Sequence, residues 1–235
     1  MEEQPKSMFR YKAIYNEIRD RICLLQYPPG MMLSENQLAG EFGVSRTPIR
    51  RVLQRLEFEG LVVSKQGIGT LVTIVDLQYL KEVYALRLKL SELAGELSPL
   101  RPTEAKIVAL ESLLSQVETM HAQYDPPELA RLYNAFQAEM TPLIGNRPLR
   151  EISEQLFHQT ARIWLQILPE LDWNEEVNYI CDEIGAVATA LRAGDMKAMA
   201  QVRRDHMARL LARTSSYLGG ADIEVTAKKV RPEQE

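Results

Sequence analysis

Cysteine is scarce in this chain, with two among 235 residues, and so is histidine, with three. Cys23 and Cys181 lie far apart within apolar helical patterns, so both are expected to be small reduced core residues rather than a disulfide or a metal pair. Long apolar runs are also missing. GIGTLVTIV at 67–75 is among the longest, well short of the roughly 20 residues that span a bilayer, so no membrane partner is expected. MEEQPKSMFR at the start lacks the apolar segment of a secretory signal, and a cytoplasmic location follows as the expectation. A Gly-rich phosphate loop is absent, since QGIGT joins two β-rich runs and precedes no helix. No Ser, His and Asp set is framed by a nucleophile motif. The acidic pairs Asp182/Glu183 and Glu175/Glu176 are adjacent in sequence, point apart on a helix, and are expected to be solvated. Catalysis, a cofactor and a resident metal are therefore not expected.

What is present is unevenly charged. Residues 1–75 carry ten Lys plus Arg and eight Asp plus Glu, net +2, whereas 76–235 carry 18 and 24, net −6; together these give the overall −4. A small basic module joined to an acidic one fits a nucleic-acid binder whose second half does something else.

Within the first module, Ile14, Ile18, Ile22 and Leu25 recur at helical spacing, and YPPG at 27–30 must end that helix. A second helix starts at SENQLAGEF, with Ser34 and Gln37 in a capping-box pattern, Leu38 and Phe42 on its buried face, and Gly43 as the stop. Ser45 caps a third helix in GVSRTPIRRVLQRLEFEGLV, where Ile49, Val52, Leu53 and Leu56 form one stripe and Gly60 ends it. Thr47, Arg50, Arg51 and Gln54 lie across from that stripe. LVVSKQGIGTLVTIV then reads as a β-hairpin. Three helices and a hairpin, with the second and third helices separated by GVS, make a winged helix-turn-helix over 8–75. Its third helix presents Arg46 and Arg50 one turn apart, and arginine can make two parallel hydrogen bonds to guanine O6 and N7.

LSENQLAGEFGVSRTPIRRVLQRLEFEGLV followed by QGIGTLV closely resembles the DNA-binding domain of the GntR family of bacterial transcription regulators, over about residues 10–73. The resemblance implies base reading by Arg46 and Arg50, a phosphate or base contact by Thr47 beside Ser45, and a wing tip at Gln66 and Gly67 that enters the minor groove. Asn36 falls where some members carry a DNA-contacting arginine. Arg51 departs from the family's usual Glu, and its extra charge bears on nonspecific binding or on the sequence read.

From Asp76 the pattern turns helical, with candidates at 76–98, 103–123, 127–144, 147–168, 173–193 and 195–218, broken by short polar connections. An all-α antiparallel bundle over 76–218 is expected, and 219–235 reads as a polar, mobile tail. The whole chain is thus mainly α. The second module resembles the FCD effector domain of FadR-type members through VYALRLKLSELAGEL, LYNAFQAEMTPLIGNRPL, CDEIGAVATALRAGDMKAM and RRDHMARLL. Many such domains hold a divalent metal through Asp and His and seat a small carboxylate on it. Here the family's Asp falls at Tyr133 and its histidines at Gln137, Ile184 and His206, so the resemblance carries over a pocket without the ligand set. Arg87 falls where members place an inward arginine suited to a carboxylate. His206 also lies on an apolar stripe with Met196, Met199, Val202, Leu210 and Tyr217, which suits a hydrogen-bonded core histidine.

These readings give a homodimeric, sequence-specific regulator on a palindromic DNA operator, most simply a repressor, paired through its helical domain. Its effector is expected to be more apolar than a small dicarboxylate. The rivals are a constitutive DNA-binding dimer that has lost ligand sensing and a metal-dependent enzyme in the helical domain.

Overall fold

A computed structural model describes residues 3–74 and 77–214. The expected tail at 219–235, Tyr217 and the expected boundary at 75 and 76 lie outside the described residues.

The first helix, α1 (Glu3–Cys23), buries Ile14, Ile18 and Ile22. It ends as expected ahead of Pro28 and Pro29. α2 (Glu35–Glu41) starts at Ser34, whose hydroxyl accepts from the Gln37 backbone N–H at 3.4 Å. The chain leaves it through Gly43 at φ +59°, a left-handed conformation that costs other residues roughly 1–2 kcal/mol. Arg10 Nη2 donates to the Gly43 carbonyl at 2.8 Å, fixing this turn. α3 (Arg46–Phe58) follows, with Ile49, Val52, Leu53 and Leu56 buried as one stripe. Ser45 occupies the N-cap position of α3, but its hydroxyl makes no capping hydrogen bond. The expected cap is therefore positional only.

The expected hairpin is β2 (Val62–Lys65) and β3 (Gly69–Val72), paired antiparallel from Val62↔Val72 to Lys65↔Gly69. It belongs to a three-stranded sheet. β1 (Met32–Leu33) pairs on the other side of β3, giving the order β1-β3-β2. Helices and sheet enclose one core, in which Leu38, Leu61, Val62 and Val72 meet the α1 and α3 stripes.

The second module is all helical: α4 (Leu77–Ala94), α5 (Glu104–Thr119), α6 (Pro126–Met140), α7 (Arg147–Ile167), α8 (Trp173–Arg192) and α9 (Met196–Thr214). Thr103, Asp125, Asn146 and Asp172 each accept a backbone N–H three residues on, so the polar breaks seen in the sequence are helix caps. α5 packs on α8, α8 on α9, and α4 on both α9 and α7. Leu110, Leu129, Phe136, Val177 and Ile184 form the bundle core. Cys23 is buried, whereas Cys181 is half-buried at the edge of this core; both are free thiols.

α7 also carries the winged helix. It packs on α1, Gln159 Nε2 donates to the Glu59 carbonyl at 2.7 Å, and Arg162 Nη2 donates to Thr73 Oγ1 at 2.6 Å. Gly60, at φ +77°, lies so close that a Cβ there would stand 2.9 Å from Gln159 Nε2.

Candidate nucleic-acid interface and helical-domain cavity

Burying one stripe of α3 forces its other face outward. Arg46 and Arg50 keep 59% and 55% of their side-chain surface exposed. Ser45, Thr47 and Arg51 are exposed on or beside the same helix, Asn36 on α2, and Gln66 and Gly67 in the β2–β3 turn. Gly67 has φ +76°, as that tight wing tip requires.

Sequence reasoning missed the partner of the two arginines. Glu35, in the first turn of α2, accepts from Arg50 Nε and Nη2 at 2.9 Å each and from Arg46 Nη2 at 3.1 Å. Hydrogen bonding from Arg50 and then Arg46 holds its carboxyl below the ordinary range. The readable signal was an acid beside the helix cap, which a capping argument alone absorbs. Arg55 belongs elsewhere. It pairs with Glu59 at 2.9 Å and lies 3.9 Å from the centre of the Tyr15 ring. Glu57 ties α3 to the wing by accepting from the Ser64 backbone N–H at 2.7 Å.

In the bundle, Arg87 turns inward and donates to Thr160 Oγ1. Arg87 and Gln137 line one cavity together with Arg203, Leu90, Met140 and Met199. Tyr133 lines an adjoining cavity that also touches Arg87. Ile184 and His206 line neither, being 0% and 3% exposed. The five positions are thus split between cavity wall and core.

The expectation that Glu183 is solvated is corrected by its 1% exposure. One carboxylate oxygen accepts from Arg203 Nη1 at 2.8 Å, and the other lies 3.0 Å from His206 Nε2 without a hydrogen bond to it; His206 Nδ1 has no hydrogen-bond partner either, so the expected hydrogen-bonded core histidine is buried but not hydrogen-bonded through that nitrogen. Arg203 Nη2 also donates to Gln137 Oε1. Burial lowers the His206 pKa, Glu183 opposes the shift, and Arg203 adds to it. We take His206 as neutral, because Glu183 is already neutralised by Arg203. Glu176 corrects the second expectation: it is buried, accepts from Trp164 Nε1 at 3.0 Å and pairs with Arg213.

These partners decide how the positions suit a divalent metal. Ile184 offers no donor atom, the Gln137 oxygen is engaged by Arg203, and Tyr133 is a phenol whose pKa burial raises, which leaves His206 as the one strong ligand among the four positions. No group of three or more His, Cys, Asp or Glu side chains among the described residues is placed to hold an ion. The residues do not fit the metal that the resemblance implied. Among the described residues, no helix is long and apolar enough to cross a membrane.

Two family models match the chain: bacterial regulatory proteins of the gntR family over residues 10–72, and the FCD domain over 82–209. An uncharacterized HTH-type transcriptional regulator of Bacillus subtilis, YdhC, is 31% identical over 62% of this chain and 66% of its own length. The Nta operon transcriptional regulator of Aminobacter aminovorans is 31% identical over 55% of this chain and 63% of its own. A gluconate operon transcriptional repressor of Bacillus licheniformis is 39% identical over 31% and 29%. The chain thus spans about two thirds or less of these relatives. The solved structure of Escherichia coli McbR/YncC shares the fold, with a TM-score of 0.76 at 19% identity over 88% of this chain and 98% of that one.

Proposed function

Because the chain belongs to the GntR family of bacterial regulatory proteins and carries an FCD domain behind its winged helix, we propose that it is a sequence-specific DNA-binding repressor acting as a homodimer on a palindromic operator. Family and relatives are transcription regulators, not enzymes. The observation behind base reading is the exposure of Arg46 and Arg50 on α3, opposite a stripe buried in the core. Two guanidinium groups one turn apart match guanine edges in one major groove. Ser45, Thr47, Arg51 and Asn36 flank them, and Gln66 and Gly67 occupy the wing tip.

One such helix reads few base pairs, so a pair related by two-fold symmetry, joined through the helical module, supplies the rest. Repression is supported by the name of the gluconate operon relative, which is similar over 31% of this chain. Residues 8–75 read DNA in this scheme, and 76–218 pair and sense.

For the effector, Arg203 is matched by Glu183, whereas no carboxylate among the described residues forms an ion pair with Arg87. That favours a mostly apolar ligand with one carboxylate at Arg87, near Gln137 and Tyr133, over a small dicarboxylate. A constitutive dimer is the rival, favoured by the closure of Ile184 and His206 into the core. Selection and sequencing of bound genomic fragments tests DNA reading. A shared palindrome with half-sites about 10 base pairs apart, or a multiple, is expected; fragments without a shared sequence would refute it. A thermal-shift screen of aliphatic acids against Arg87→Met separates sensor from constitutive dimer.

A further inference from the structure

A cleft of about 600 Å3 lies where α1 of the winged helix meets α6 and α7 of the helical module. That volume falls within the roughly 300–1,000 Å3 range of ligand sites. Leu24 on α1 and Phe157 on α7 supply apolar wall.

Most of the charged groups lining the cleft are already matched. Arg19 Nε and Nη2 both donate to Asp20 Oδ1, at 2.9 and 2.8 Å. Arg131 pairs with Glu128, which lies outside the lining. Arg150 and Glu154 remain, and neither forms an ion pair among the described residues. They stand one turn apart on α7, yet Arg150 Nη1 donates to the Ile144 carbonyl at 3.0 Å instead of to Glu154. The other edge of this guanidinium, the Nε–H and the Nη2–H parallel to it, has no partner among the described residues, and neither nitrogen is shut off from solvent. Two parallel N–H bonds match the two oxygens of a carboxylate. Glu154, exposed one turn on, repels a second carboxylate and suits a cationic group.

His158 follows at the next turn of the same α7 face and is half-buried. Its ring nitrogens have no hydrogen-bond partner among the described residues and remain open. Burial, and then Arg19, Arg87 and Arg55, lower its pKa to about 3, so at neutral pH the ring is uncharged and offers one donor and one acceptor. The Asn134 amide on α6 is likewise uncommitted. The cleft thus holds one open cation, one open anion and two uncharged hydrogen-bonding groups beside apolar wall.

We propose that this cleft binds a zwitterion, a free amino acid or short peptide with apolar side chains, its carboxylate on the Nε and Nη2 edge of Arg150 and its ammonium group towards Glu154. Residues one turn apart have Cβ atoms about 5–6 Å from each other, which favours the roughly 7 Å length of two extended residues over the shorter span of one. The site is separate from the Arg87 cavity: Arg87 does not line it, although Gln137 stands in the wall of both. Because α1 belongs to the winged helix and α6 and α7 to the helical module, an occupant touches both. It shifts DNA binding to the extent that it binds one arrangement of the modules better than another.

The test is calorimetry of the full chain with leucine, leucyl-leucine, N-acetyl-leucyl-leucine and leucyl-leucinamide. Arg150→Met, Glu154→Gln and Arg87→Met are run beside the unaltered protein. Saturable binding of leucyl-leucine is expected, retained in Arg87→Met, weakened about tenfold or more in Arg150→Met, and weakened about two- to fivefold in Glu154→Gln, whose partner is exposed. Leucine binding more tightly than leucyl-leucine supports the same site with a single amino acid as its occupant. Binding that is unchanged in Arg150→Met, lost in Arg87→Met, equalled by the amide or the N-acetyl compound, or absent for every probe overturns the proposal. Should Arg150→Met fail to fold, crystals of the unaltered chain grown with leucyl-leucine decide: a carboxylate on Arg150 supports the site, and its absence there overturns it. No DNA is present in these measurements, so their outcome is independent of the proposed operator binding.

Discussion

Glu35 holds Arg46 and Arg50 in the DNA-free protein, so base reading by these arginines, as proposed, requires DNA to take both side chains from a carboxylate. Replacing it by Gln removes a negative charge that would face the phosphates. Glu35→Gln is expected to tighten binding to random duplexes and to narrow the gap between operator and random DNA, read by fluorescence anisotropy at fixed salt. Equal affinities for the variant and the unaltered protein on both duplexes would remove Glu35 from recognition. Inside the bundle, Glu183 pairs with Arg203 at 1% exposure. Glu183→Ala strands Arg203 and is expected to cost about 3–5 kcal/mol in urea denaturation, while Glu183→Leu with Arg203→Met restores most of it. The histidines set a pH window. Burial lowers His158 from 6.5 to about 3 and lowers His206 in the same direction. The unfolded chain therefore takes up these protons first, and the stability they contribute is complete above about pH 6.5 and declines as pH falls from 6.5 towards 3. Urea midpoints against pH check this, and His158→Gln is expected to flatten the decline.

At the scale of elements, Gly60 is the tightest joint. Its positive φ and its closeness to Gln159 leave no room for a methyl group. Gly60→Ala is expected to lower stability by about 1–2 kcal/mol and to disturb the Gln159 bond to the Glu59 carbonyl, measurable by amide exchange at the start of β2. Legibility in the sequence followed the strength of the local signal. α3 and the six bundle helices announced themselves because apolar spacing, caps and breaks agreed. β1 did not, because two residues cannot show alternation and their pairing with β3 spans nearly forty positions. Glu183 and Glu176 were misread for an instructive reason. Adjacent residues on a helix do point apart, and for that reason one member of each pair turns into the core while Asp182 and Glu175 stay outside. The exposure of Arg46 and Arg50 was legible because it follows from the stripe opposite them. Glu35, Arg203 and Arg162 were not, since their roles depend on partners far away in the chain.

For the whole molecule, α7 joins the helical-domain cavity to the winged helix. It lines the Arg87 cavity through Ser153 and holds the winged helix through Gln159 and Arg162. In the proposed dimer, a ligand that moved α7 would reorient α3 relative to its partner, and two recognition helices out of step would lose the proposed palindrome. The central claim is that Arg46 and Arg50 read bases rather than merely attract phosphate. It is tested most directly by titrating operator and random duplexes, at several salt concentrations, with the unaltered protein, Arg46→Ala and Arg50→Ala. Each variant is expected to weaken operator binding by roughly 5- to 150-fold while changing random DNA far less, so the specificity ratio collapses. Equal weakening on both duplexes, with the ratio preserved, would contradict base reading and leave the two arginines as phosphate contacts.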